Sequence, residues 1–143
     1  MTSFFKKLDD RAVTPMQKRS SDTGWDVTLI DRVEGSYRDL DHGFVETYRT
    51  GLIVAPPEGY YFDLAPRSSL SKYGCVMPNS FGVIDSTYRG ELLVPIIHFE
   101  DSLELPGRYV QLILRPLIPT VFKEVSEFEG TDRGTQGFGS SGK

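Results

Sequence analysis

The chain has 143 residues, of which 38% are hydrophobic, 25% charged and 12% aromatic, and its formal net charge is −4. That is enough for one domain that buries about two-thirds of its unfolded surface without staples, and the acidic excess excludes a bulk binder of nucleic-acid phosphates. The single cysteine, Cys75, excludes a disulfide framework and a multi-cysteine metal site; with no apolar run near the roughly 20 residues of a membrane helix and no signal peptide in MTSFFKKLDD, the expectation is a soluble protein, cytoplasmic or nuclear, not secreted and not bound to membrane.

No long stretch carries apolar residues at helical spacing. The predicted elements are short strands: residues 4–8 as a first strand, then 25–30, 51–54, 60–64, 90–99 and 109–114. Turn chemistry separates them: Pro56-Pro57-Glu58-Gly59, which reads as a hairpin connection, then Tyr73-Gly74, Pro78-Asn79-Ser80 and Pro106-Gly107. One helical turn is expected at residues 68–72, with Ser68 as N-cap and Gly74 as its end. The charged stretch 31–46 reads as loop. This is an all-β pattern, a barrel or sandwich with little helix. Residues 1–130 form the domain and residues 131–143 a flexible arm. TDRGTQGFGSSGK holds four Gly and four Ser or Thr and cannot pack a core of its own.

Three segments carry the chemistry. In APRSSL, residues 65–70, Arg67, Ser68 and Ser69 offer a guanidinium, two hydroxyls and free backbone N–H groups. That set suits phosphate, and equally an N-capped turn with a surface arginine. In NSFGVIDSTYRGE, residues 79–91, an apolar run ends at Asp85. A carboxylate placed so can align and deprotonate a water, or cap a turn. The arm's glycines can close backbone N–H groups around an anion, yet the order is not that of a Walker loop. A solubility tail needs neither Arg133 nor Phe138. His42, in a carboxylate-rich loop before Gly43, reads as solvated turn, and His98, inside an apolar run, as a barrel-face residue. No pair of histidines has zinc spacing, and no serine-hydrolase elbow is present.

In this order the segments resemble the trimeric dUTP pyrophosphatase (dUTPase) family. SDTGWDV (21–27), PRSSL (66–70), NSFGVIDSTYRG (79–90), RYVQLI (108–113) and RGTQGFGSSG (133–142) look like its five motifs. The resemblance implies a distorted jelly-roll-like β-barrel and hydrolysis of dUTP to dUMP and pyrophosphate by water attack on the α-phosphate. The dUMP would supply thymidylate synthesis. It assigns Asp85 to the attacking water. Tyr88 would exclude a 2′-hydroxyl, and Asn79, with the Gly82, Val83 and Ile84 backbone, would read uracil. Arg67, Ser68 and Ser69 match phosphate contacts, as do Arg133, Ser140 and Ser141. Phe138 matches the ring that stacks on the base, beside Gly139. Asp26 and Gln111 match positions that hold Mg²⁺ through water. The family is a homotrimer whose active sites sit at subunit interfaces, with the arm reaching across to a neighbour.

Two departures stand out: Ser69 where the family most often has Gly, and Thr23-Gly24-Trp25 where it usually has Ala-Gly before the next residue. The rival readings are a dCTP deaminase-type enzyme of the same superfamily and a non-catalytic nucleotide-sensing or partner-binding member of the fold.

Overall fold

The computed structural model of the chain describes residues 1–140. Eleven strands and one 3-10 turn form among them: β1 (Phe4–Lys7), β2 (Trp25–Leu29), β3 (Asp31–Arg32), β4 (Arg38–Leu40), β5 (Gly43–Arg49), β6 (Leu52–Ala55), β7 (Tyr60–Pro66), the turn (Leu70–Tyr73), β8 (Cys75–Val76), β9 (Gly82–Ile84), β10 (Leu93–His98) and β11 (Gly107–Pro116). The expected strands are therefore present, in a jelly-roll-like all-β arrangement. None of the described helices is long and apolar enough to cross a membrane.

The strands fall into three sheets: β1-β6, β3-β5-β10-β8 with β4 added on β5, and β2-β11-β7-β9. All pairs are antiparallel, so alternate residues turn to the two faces. Val94, Ile96 and His98 of β10 point inward, as do Leu52 and Val54 of β6. Facing them are Val27 and Leu29 of β2, Phe62 and Leu64 of β7, and Val110 and Leu112 of β11. Each fully buried Leu of this set contributes about 2 kcal/mol by leaving water.

Three local expectations are corrected. Residues 31–46 are not plain loop: β3, β4 and the start of β5 lie there, with β3 and β4 both paired to β5. Alternation is weak in this charged stretch, and pairing with the strong strand β5 supplies the order. The Pro56–Gly59 connection is a turn, closed by Tyr60 N–H to Pro57 O at 3.2 Å, yet it joins β6 and β7 in different sheets and makes no hairpin. The helical turn runs over Leu70–Tyr73, with Ser69 rather than Ser68 at the N-cap and no side-chain cap bond. Ser68 instead accepts at its carbonyl from Ser71 Oγ at 3.2 Å. Gly74 ends the turn at φ 60 as expected.

His98 is buried and ring-stacked on Phe44, centroids 4.7 Å apart. Its Nε2 lies 2.9 Å from Tyr48 Oη, and Tyr48 donates to Glu46 Oε2 at 2.8 Å. Burial holds the His98 imidazole below its ordinary pKa. Burial would raise Glu46, but bonds from Tyr48, Arg32 and Ser102 outweigh it and keep the carboxyl below its ordinary value. The network satisfies polar groups that the core would otherwise leave unpaired.

Candidate active site

The first cluster is set by an irregularity in β11. Gly107 and Arg108 face Leu29 and Thr28 of β2, but the register shifts between Arg108 and Val110. The extra residue, Tyr109, makes a bulge. Continued in the first register, Val110 would face Asp26; after the bulge Gln111 does. The sheet thereby sets a carboxylate beside an amide on one face.

Around them, Asp26 Oδ1 takes Arg67 Nε at 2.9 Å, and Oδ2 meets Arg108 Nη1 at 3.5 Å. Arg67 also donates from Nη1 to Arg108 O at 2.7 Å, and from its amide to Tyr109 O at 2.9 Å. Gln111 donates from Nε2 to Pro66 O at 3.1 Å, leaving Oε1 as acceptor. A Cβ at Gly24 would fall on that Oε1, so glycine keeps the amide in reach. These groups line a cleft of about 320 Å³ with Lys18, Asp22, Thr23, Gly24, Asp26, Arg67, Ser68 and Gln111 on its walls. Arg67 and Ser68 also border a second cleft, about 480 Å³, which reaches Cys75, Met77 and Ser80. Guanidinium, hydroxyl and backbone N–H groups at such a place suit phosphate oxygens.

The second cluster grows from β9. Gly82, Val83 and Ile84 pair with Leu64, Asp63 and Phe62 of β7. The turn before β9 is tight: Ser80 sits at φ 60, and Phe81 N–H meets Asn79 O at 2.6 Å. Asn79 is exposed. Asp85 follows β9 at an exposed position. Tyr88 N–H donates to Asp85 O at 3.0 Å, and Tyr88 Oη donates to Glu91 O at 3.0 Å. Val83, Ile84, Asp85 and Tyr88 line a separate pocket of about 150 Å³, which shares no residue with the Asp26 cleft.

The arm is apart from both. Arg133, Phe138, Gly139 and Ser140 are exposed. Among the described residues Arg133 bonds within its own turn, Nε to Gln136 O at 3.0 Å. Ser141 lies outside the described residues. Ser69, at the N-cap, lines neither cleft. Among the described residues no three of His, Cys, Asp and Glu gather closely enough to hold a metal directly. The sequence placed Arg108 in the RYVQLI segment without a role, and the bulge beside it was not foreseen. Two consecutive apolar residues, Tyr109 and Val110, which break the alternation before Gln111, are the signal that could have found it.

The sequence model of the dUTPase family matches residues 10–142. The chain belongs to the dUTPase family. The dUTPase of Leptospira interrogans (deoxyuridine 5′-triphosphate nucleotidohydrolase) is 38% identical over 99% of both chains. That of Fusobacterium nucleatum is 36% identical over 90% of this chain and 89% of its own. Among solved structures, the Staphylococcus bacteriophage 80alpha dUTPase with dUpNHpp superposes at a TM-score of 0.82, with 26% identity and 99% of both chains covered.

Proposed function

We propose that this dUTPase-family chain hydrolyses dUTP to dUMP and pyrophosphate, by attack of water on the α-phosphorus. The observation that carries the reading is the bulge-set pair Asp26 and Gln111, in one cleft with Arg67 and Ser68. It stands in a chain whose relatives at 32–38% identity are dUTP nucleotidohydrolases, and whose phage relative holds dUpNHpp. The same relatives disfavour the deaminase and non-catalytic readings. The reaction serves the cytoplasmic or nuclear nucleotide pool.

In this reading Asp85 accepts the proton of the attacking water, and its exposed place after β9 leaves room for that water. Tyr88 walls off the sugar. Asn79 and the backbone of Gly82, Val83 and Ile84 read uracil. Arg67, Ser68 and Ser69 take phosphate oxygens. The donors present fit Mg²⁺: a carboxylate and a free amide oxygen side by side, hard oxygen ligands suited to holding its waters. Asp26 and Gln111 would hold the ion through its waters, and the ion would supply charge that offsets the phosphates. Asp26, already paired to Arg67 and Arg108, also fixes where those cations sit.

The site is completed between chains of a homotrimer. Three features support this. The Asp85 pocket and the Asp26 cleft share no residue. Asp63, whose β-sheet neighbour Val83 is exposed, is itself buried with Oδ1 unpartnered among the described residues. After β11, Ile118, Val121, Phe122 and Phe128 are all exposed, a run of apolar surface that a neighbouring chain would cover. From residue 131 the chain acts as a separate arm that closes over the nucleotide, with Phe138 on the base and Arg133, Ser140 and Ser141 on phosphates.

The test is Asp85→Asn. Turnover of dUTP, read as pyrophosphate release, should fall at least about 1000-fold, while dUpNHpp binding by calorimetry stays within about threefold. Near-normal turnover would remove Asp85 from its role.

A further inference from the structure

The cleft beside Asp26 holds a cation outside all five motifs. Lys18 lies in the connection from β1 to β2, which five hydrogen bonds tie down. Met16 and Asp26 exchange backbone bonds, Met16 N–H to Asp26 O at 3.1 Å and Asp26 N–H to Met16 O at 2.7 Å. Further on, Asp22 N–H donates to Arg19 O at 3.0 Å, Arg19 N–H to Asp22 Oδ2 at 2.9 Å, and Gln17 Nε2 to Asp22 O at 2.5 Å. Residues 17–22 thus form a fixed lip, and Lys18 lies on the wall of the same cleft as Asp26, Arg67, Ser68 and Gln111.

Charge decides what Lys18 does there. The rest of the lining offers two carboxylates, Asp22 and Asp26, against one guanidinium, Arg67. Arg67 is already committed to Asp26 at 2.9 Å. Lys18 enters no ion pair among the described residues. Arg108 also pairs with Asp26, at 3.5 Å, so both guanidiniums at the cleft are spent on that carboxylate and neither is uncommitted. With Lys18, the cleft presents an uncommitted point charge on a flexible stem.

We propose that Lys18 is a further phosphate-binding residue: its ammonium engages the polyphosphate portion of the substrate, and the pyrophosphate product, from the lip of the cleft that Arg67 also lines. The proposal rests on the dUTP reading above. A charge that meets the polyphosphate in ground and transition states alike strengthens binding without changing the chemical step. It also makes that binding sensitive to salt.

Two measurements test it on the full chain: steady-state dUTP hydrolysis with Mg²⁺ across an ionic-strength series, and calorimetric titration with inorganic pyrophosphate. Lys18→Ala should raise KM about 3- to 10-fold, with kcat within about twofold of the parent and a shallower dependence of KM on salt. Pyrophosphate binding should weaken by the same factor, and Lys18→Arg should restore both. A Lys18→Ala protein with parental KM, salt slope and pyrophosphate affinity overturns the proposal. If the parent fails to turn over dUTP yet binds pyrophosphate through Lys18, the anion site stands and the dUTP reading falls.

Discussion

Tyr88 is held at both its backbone and its ring. Its amide and hydroxyl bind Asp85 O and Glu91 O, both at 3.0 Å. A Cβ on Gly90 would strike its ring, so the glycine is what allows the ring to fold back over the loop. A ring fixed from both ends makes a stiff wall, and a stiff wall discriminates by sterics. Tyr88→Ala should therefore raise the ratio of kcat/KM for UTP to that for dUTP about 10- to 100-fold. An unchanged ratio in a nucleotide panel would move the sugar filter elsewhere. Asp26 is determined just as closely, for another reason: each of its oxygens faces a guanidinium, so it acts as the counter-charge that aims Arg67.

At the scale of elements, the bulge in β11 matters more than any strand's length. One inserted residue, Tyr109, decides whether Asp26 faces an apolar side chain or an amide. The other decisive element is the chain beyond β11. Residues 131–140 touch neither cleft and are exposed throughout, so their removal should spare the barrel. Truncation before Arg133 should leave an unchanged melting temperature and a dUTP turnover lower by about 100-fold or more. Full activity in the truncated chain would reduce the arm to a tail. Much of this was legible in the sequence, because strands such as Leu93–His98 and Gly107–Pro116 advertise themselves by alternation or apolar runs between Gly and Pro. The motif segments were legible as local chemistry. What escaped was non-local. Residues 31–46 gain their strands only by pairing with β5. The partner of Pro56–Gly59 could not be read from the turn itself. Arg108 matters through Asp26, 82 residues away, and Lys18 shares a cleft with Arg67 and Gln111, residues far from it in sequence that meet it only in the fold.

For the molecule as a whole, the telling feature is that its reactive groups are dispersed. Asp85 with Tyr88, and Asp26 with Arg67 and Gln111, occupy pockets without a common wall, and the apolar residues Ile118, Val121, Phe122 and Phe128 after β11 are exposed. If neighbouring copies each lend part of a site, damage to one part can be made good by another copy. An Asp85→Asn protein and an Arg67→Ala protein, each silent alone, should revive when denatured together and refolded as mixed assemblies. Pyrophosphate release from the blend measures the rescue, and native mass spectrometry verifies that hybrids formed. Hybrids that stay inert would mean that each copy works from its own parts. Rescue would mean that the unit of catalysis is the partnership, and that a cell carrying two differently broken copies of the gene still clears its dUTP.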